Sequence, residues 1–160
     1  MLTVTAYHGA RVPFDLADIN LDPWFQTTDE RKVSLGAYFT TNQLLASMYG
    51  QVLVADLCFH NLVDLRVFHG AFTALDFYAS LPVDIPERLA GEVSAGYTGA
   101  LEPHHLLEFA LTRIDIVRGM KTMGYDGIAF REANSDVFVP FARSVIHPQS
   151  LMKRKTRWRN

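Results

Sequence analysis

Cysteine is nearly missing from this chain of 160 residues: Cys58 stands alone. One cysteine excludes an internal disulfide framework and any multi-cysteine zinc site. Long apolar runs are missing too. Stretches such as Val52-Leu53-Val54-Ala55 are broken by charge within a few residues, and none approaches the roughly 18 apolar residues of a membrane span. No basic region followed by an apolar core stands at the N-terminus, so no secretory signal is read. The glycine-rich phosphate loop, the nucleophile-elbow serine and the HExxH zinc motif are all absent. The expectation is a cytoplasmic protein in a reducing setting, with no membrane partner and no metal.

What is present is globular. Hydrophobic residues make up 49% and charged residues 20%, which argues against disorder throughout, collagen or coiled coil. The length suits one compact domain. Charge is unevenly placed along it. Residues 153–160 hold five of the 15 basic side chains and no acid. The first 152 residues keep 10 basic and 17 acidic side chains, a formal charge of −7. The chain therefore divides into a domain over residues 1–150 and a basic tail over 151–160. Such a tail on an acidic body can touch nucleic acid, an acidic partner or the body itself, or it can be a solvated end.

Local patterns supply the elements. The β-branched and aromatic run of residues 2–7 predicts a first strand that ends at His8-Gly9. Residues 11–34, with Pro13, Pro23 and several aspartates, read as a long loop, the kind that is often functional. Residues 36–40 form a short strand; Asn42 caps a helix over residues 43–49, which Gly50 stops. Strands follow over 51–59 and 62–68. The pattern Asp84-Ile85-Pro86-Glu87 opens a helix running to about residue 95. Pro103 opens a longer one, ended by Gly124. Strands return over 127–130, 136–141 and 144–147. Strands at both ends with helices between predict an α+β domain, mostly antiparallel, with peripheral helices.

Most lone polar residues have a plain reading. His104 and His105 diverge by about 100° on a helix, so they cannot easily share a metal. Glu108 lies one turn beyond His104, which would allow a two-ligand site, but a surface pair of histidines is the simpler reading. His60 and His69 have no partner at ligand spacing, and Cys58 reads as a small buried hydrophobe. Three segments say more. They are Tyr7-His8-Gly9, then Gly36-Ala37-Tyr38-Phe39-Thr40 with Tyr49 eleven residues after Tyr38, then Asp136-Val137-Phe138-Val139-Pro140-Phe141. A glycine after a strand-end histidine lets another group approach the backbone closely. Two tyrosines meeting at one pocket make a slot for a flat heteroaromatic ring, although each alone would read as core.

In that order the three segments resemble the ADP-ribosyltransferase superfamily, in the His-Tyr-Glu branch of diphtheria-toxin-like and poly(ADP-ribose)-polymerase-like proteins. The look is that of small bacterial or phage members. The resemblance implies a split β-sandwich that binds NAD⁺ as substrate in a cleft between two small sheets. It further implies that His8 hydrogen-bonds the adenosine ribose and that the Gly9 backbone holds the nicotinamide amide. Tyr38 and Tyr49 would sandwich or flank the nicotinamide ring, and Phe39 would belong to the same NAD⁺ site. The activity implied is mono-ADP-ribosyl transfer of toxin, effector or phage type to a macromolecular acceptor, a protein ahead of a nucleic acid. An antitoxin or immunity partner would fit that role. The loop over 11–34 would cover the cofactor, and residues 76–101 would face the acceptor.

The sequence departs from the family pattern at two points. Val137 falls where the family carries its glutamate, so the acid is sought in Asp136, through a bulge or register change, or in Glu132. Ala46 stands where many relatives place a serine three residues before the second tyrosine. Polymer synthesis is not expected. The alternatives are an NAD⁺ glycohydrolase, a degenerate module that only binds NAD⁺ or ADP-ribose, and a nucleic-acid modifier hinted at by the basic tail.

Overall fold

A computed structural model of the protein describes residues 1–10, 37–68, 74–84, 91, 114–132 and 134–152. Their element order is β1 (Leu2–Ala10), β2 (Phe39–Thr40), α1 (Gln43–Ser47), β3 (Gln51–Phe59), β4 (Leu62–Asp64), α2 (Ala74–Ala79), α3 (Ile114–Thr122), β5 (Gly127–Glu132), β6 (Ser135–Pro140), a 3-10 turn (Arg143–Val145) and β7 (Ile146–Met152). The strands form one sheet in the order β4-β5-β6-β2-β1-β3-β7. Only β4 and β5 run parallel; every other pair is antiparallel. A parallel pair needs a crossover, and α2 and α3 lie within this one.

This is the α+β, mostly antiparallel domain that the sequence predicts, but its hydrogen bonding joins into a single sheet. Two groups, β4-β5-β6 and β1-β3-β7, are bridged by β2, which is two residues long. Side-chain alternation on β5 and β6 serves two cores. Ile128, Phe130, Val137 and Val139 face a helix-side core with Phe77, Tyr78, Val117 and Met120. Ala129 and Phe138 face an inner core with Ala6, Phe39, Leu53, Leu57 and Phe59. The rings of Phe59 on β3 and Phe138 on β6 stack at 5.9 Å, although β1 and β2 separate those strands in the sheet. The sheet therefore curls until these two groups of strands face each other. Gly127 permits this closeness: a Cβ there would overlap the Phe59 ring and lie 3.1 Å from the Val139 carbonyl oxygen.

Most local expectations hold with shifts at the ends; the strand expected over 144–147 begins only at Ile146, after the 3-10 turn over Arg143–Val145. The strand over residues 51–59 has its predicted bounds. Asn42 caps α1 through its side-chain oxygen, which accepts from the backbone N–H groups of Leu44 and Leu45, but the helix ends at Ser47, leaving Tyr49 in the following turn. Gly50 and Gly124 adopt φ of 126° and 86°, the left-handed backbone that glycine tolerates. The strand expected over 62–68 stops at Asp64, because the Asp64 carboxylate accepts from the Arg66 backbone N–H and turns the chain. β6 keeps a regular register with β5 and β2, so the bulge sought near Asp136 is not there; a register shift lies instead between Val54 and Ala55 on β3. β7 continues to Met152, paired with Val52. The loop over 11–34, the helix opening at Pro86, residues 103–113, His69, His104, His105, Glu108 and the charges of 153–160 lie outside the described residues.

Candidate functional site

β1 and β2 pair at one position, Tyr7 with Thr40. Continued in register, the ladder would set His8 opposite Phe39 and Gly9 opposite Tyr38. The imidazole takes over instead: His8 Nδ1 donates to the Tyr38 carbonyl oxygen at 2.7 Å. A carbonyl only accepts, so Nδ1 carries the proton. The ring rests beside Phe39, with centroids 5.3 Å apart. Burial holds the His8 pKa below the ordinary 6.5, partly offset by the bond to Tyr38. The imidazole is therefore neutral at pH 7. The break in the sheet begins at this residue.

Gly9, next along β1, is approached by the protein itself. A Cβ at Gly9 would run into the Ala46 carbonyl of α1, 2.9 Å from the carbon and closer to the oxygen, and would sit 3.0 Å from Tyr49 Cβ. The close approach that glycine allows is thus taken up by α1, which brings Tyr49 against β1. Tyr49 is 50% exposed. Tyr38 packs against the helix-side core and meets Phe130 edge-on at 6.2 Å.

Alternation sorts these residues onto two faces. Tyr38, Val137 and Glu132 lie on the helix side of their strands, and Gly9 turns its α-carbon substituent position toward α1 on that same side. His8, Phe39 and Asp136 lie on the inner side, with Ala6 and Phe138. The structure thus joins His8 to the backbone of Tyr38 and Gly9 to Tyr49, while the His8 and Tyr38 rings leave the sheet on opposite faces.

The acids fare differently from one another. Val137 is 2% exposed in the helix-side core. Asp136 has both oxygens engaged: Oδ2 accepts from Arg66 Nη1 at 3.0 Å and Oδ1 from Arg131 Nε at 3.2 Å. Arg66 also donates from Nε and Nη2 to Asp64, at 2.8 and 2.6 Å, and its guanidinium lies over the Phe138 ring. These hydrogen bonds hold the Asp64 carboxyl below the usual carboxylate range. The small Ala129, opposite both Asp64 and Phe138, lies where Arg66 reaches across β5. Glu132 pairs with Ser135 at the hairpin end. Ser135 is buried and accepts from Asn42 Nδ2 at 3.2 Å, tying the start of β6 to the cap of α1.

Arg66, Arg131 and Asp64 were not singled out by sequence. A hairpin over residues 127–141 carries the signal for Arg131, since its strands set Arg131 opposite Asp136. Arg66 lies 70 residues from Asp136 and has no such signal. No group of three or more metal-ligating side chains occurs among the described residues, and no helix among them is long and apolar enough to cross a membrane. A scan against family models and searches of curated proteins and solved structures find no match.

Proposed function

We propose that the chain is a mono-ADP-ribosyltransferase using NAD⁺, of toxin, effector or phage type, built as an ADP-ribosyltransferase-like split sheet. One observation carries the reading: two motifs some 30 residues apart in sequence meet in space at the break between β1 and β2. His8 reaches the Tyr38 carbonyl, and Gly9 lies against the turn that carries Tyr49.

On this reading the dinucleotide lies across the break. His8, its ring beside the fully buried Phe39, serves the adenosine-ribose end, with the imidazole held in one tautomer by the Tyr38 carbonyl. Gly9, Tyr38 and Tyr49 hold the nicotinamide end on the helix-side face. The C–N glycosidic bond breaks, its electron pair leaves with nicotinamide as the neutral ring, and the acceptor's nucleophile attacks the oxocarbenium-like ribose carbon. Gripping the flat leaving group and its ribose directs binding energy into that transition state. On this reading Glu132, which shares the face of Tyr38, orients the acceptor and takes its proton.

A second reading, binding of NAD⁺ or ADP-ribose without turnover, is favoured by one feature. The position of the family's glutamate is the buried Val137, and the neighbouring Asp136 is engaged by two arginines. Labelled NAD⁺ incubated with the protein and whole-cell lysate, followed by separation of protein and nucleic-acid fractions, tests the first reading. Transfer of label that is lost in His8→Ala and in Tyr38→Ala supports it, and full transfer by both variants refutes it. Nicotinamide release without acceptor marks a glycohydrolase. A thermal shift with NAD⁺ and no turnover marks the binding module.

A further inference from the structure

Asp136 and the two arginines around it share the inner face with His8 and Phe39. Arg66 is engaged at every side-chain nitrogen: Nε and Nη2 donate to Asp64 and Nη1 to Asp136. Arg131 is not. Its Nε alone is bonded, to Asp136 Oδ1, and its side chain is 53% exposed. The outer fork of the guanidinium, Nη1 and Nη2, has no partner among the described residues. A carboxylate held by Arg66 and bonded to Arg131 at Nε restrains that guanidinium and leaves its outer fork open to a ligand. A planar fork held this way matches two oxygens of a phosphate.

We infer that Arg131 binds the diphosphate of NAD⁺ and that Asp136 is a positioning residue for Arg131, not the acid of the reaction. The inference rests on the NAD⁺ reading above. His8 on β1 and Arg131 on β5 are three strands apart on one face, roughly 15 Å at the usual strand spacing. Each Asp136 oxygen already receives a guanidinium hydrogen, which ties the carboxylate to the two arginines. The exposed Arg131–Asp136 pair contributes little stability by itself, so its geometry bears on the ligand more than on the fold.

Titration calorimetry on the full chain with NAD⁺, ADP-ribose and nicotinamide riboside tests this. The riboside keeps the glycosidic bond and lacks the diphosphate. Arg131→Gln should weaken NAD⁺ and ADP-ribose by about tenfold or more and leave the riboside unchanged. Arg131→Lys, which keeps the charge and loses the fork, should fall between. Asp136→Asn should reproduce the phosphate-selective loss and leave the riboside unchanged. The salt dependence of NAD⁺ affinity should flatten in Arg131→Gln. Unchanged NAD⁺ affinity and salt slope in Arg131→Gln, or equal losses for all three ligands, overturns the inference and leaves the NAD⁺ reading standing. A wild-type protein that binds none of the three removes both.

Discussion

Gly9→Ala isolates the seat of α1. The added Cβ would lie 2.9 Å from the Ala46 carbonyl carbon, inside the contact distance of its oxygen, and 3.0 Å from Tyr49 Cβ. These are backbone and first side-chain atoms, so no flexible tip can swing aside. Either β1 bends or α1 lifts. Bending β1 strains nine pairs with β3, so α1, five residues long, is the element that moves. Overpacking of this kind costs about 1–3 kcal/mol. For a chain of this size that lowers Tm by roughly 3–10 °C. Gly91→Ala is the control: nothing lies within 4 Å of a Cβ there, and the change should be neutral or add about 0.4–1 kcal/mol by restricting the unfolded chain. Thermal unfolding followed by circular dichroism reads both. A Gly9→Ala protein that melts within about 1 °C of wild type would refute the packing argument, and with it the reason for placing Tyr49 against β1.

Further expectations concern the fold around the site. Gly127→Ala drives a Cβ into the Phe59 ring and toward the Val139 carbonyl; urea unfolding should show a loss of about 1–3 kcal/mol, and an unchanged midpoint would contradict the curled sheet. Asn42→Ala removes the cap of α1 and the donor to the buried Ser135. The expected loss is about 1–2 kcal/mol, and a Ser135→Ala background should reduce it, which a double-mutant cycle measures. His8 titrates below its ordinary value because it is buried. The unfolded chain therefore binds the proton first, and stability falls as pH drops below about 6.5 until the lower folded value is passed. His8→Gln should remove that part of the pH dependence; an identical profile in the variant would show that the imidazole is not the group responsible.

Local chemistry made much of this protein readable from its sequence. The β-branched run before His8, the asparagine cap, the stops at Gly50 and Gly124 and the apolar run of β3 are each decided by neighbours in the chain, where propensity and turn geometry act. The order of the His8-Gly9 and Tyr38–Tyr49 segments was legible for the same reason. Face and partner were not. Whether Asp136 or Val137 points inward depends on the register of β6 against β2 and β5, which long-range hydrogen bonding sets. That Gly9 answers to the Ala46 carbonyl follows from the packing of α1 on β1, and that Arg66 crosses 70 residues of sequence to hold Asp136 follows from the order that sets β4, β5 and β6 side by side. Burial of a core on each face of the sheet fixes both arrangements, and only the tertiary structure decides them.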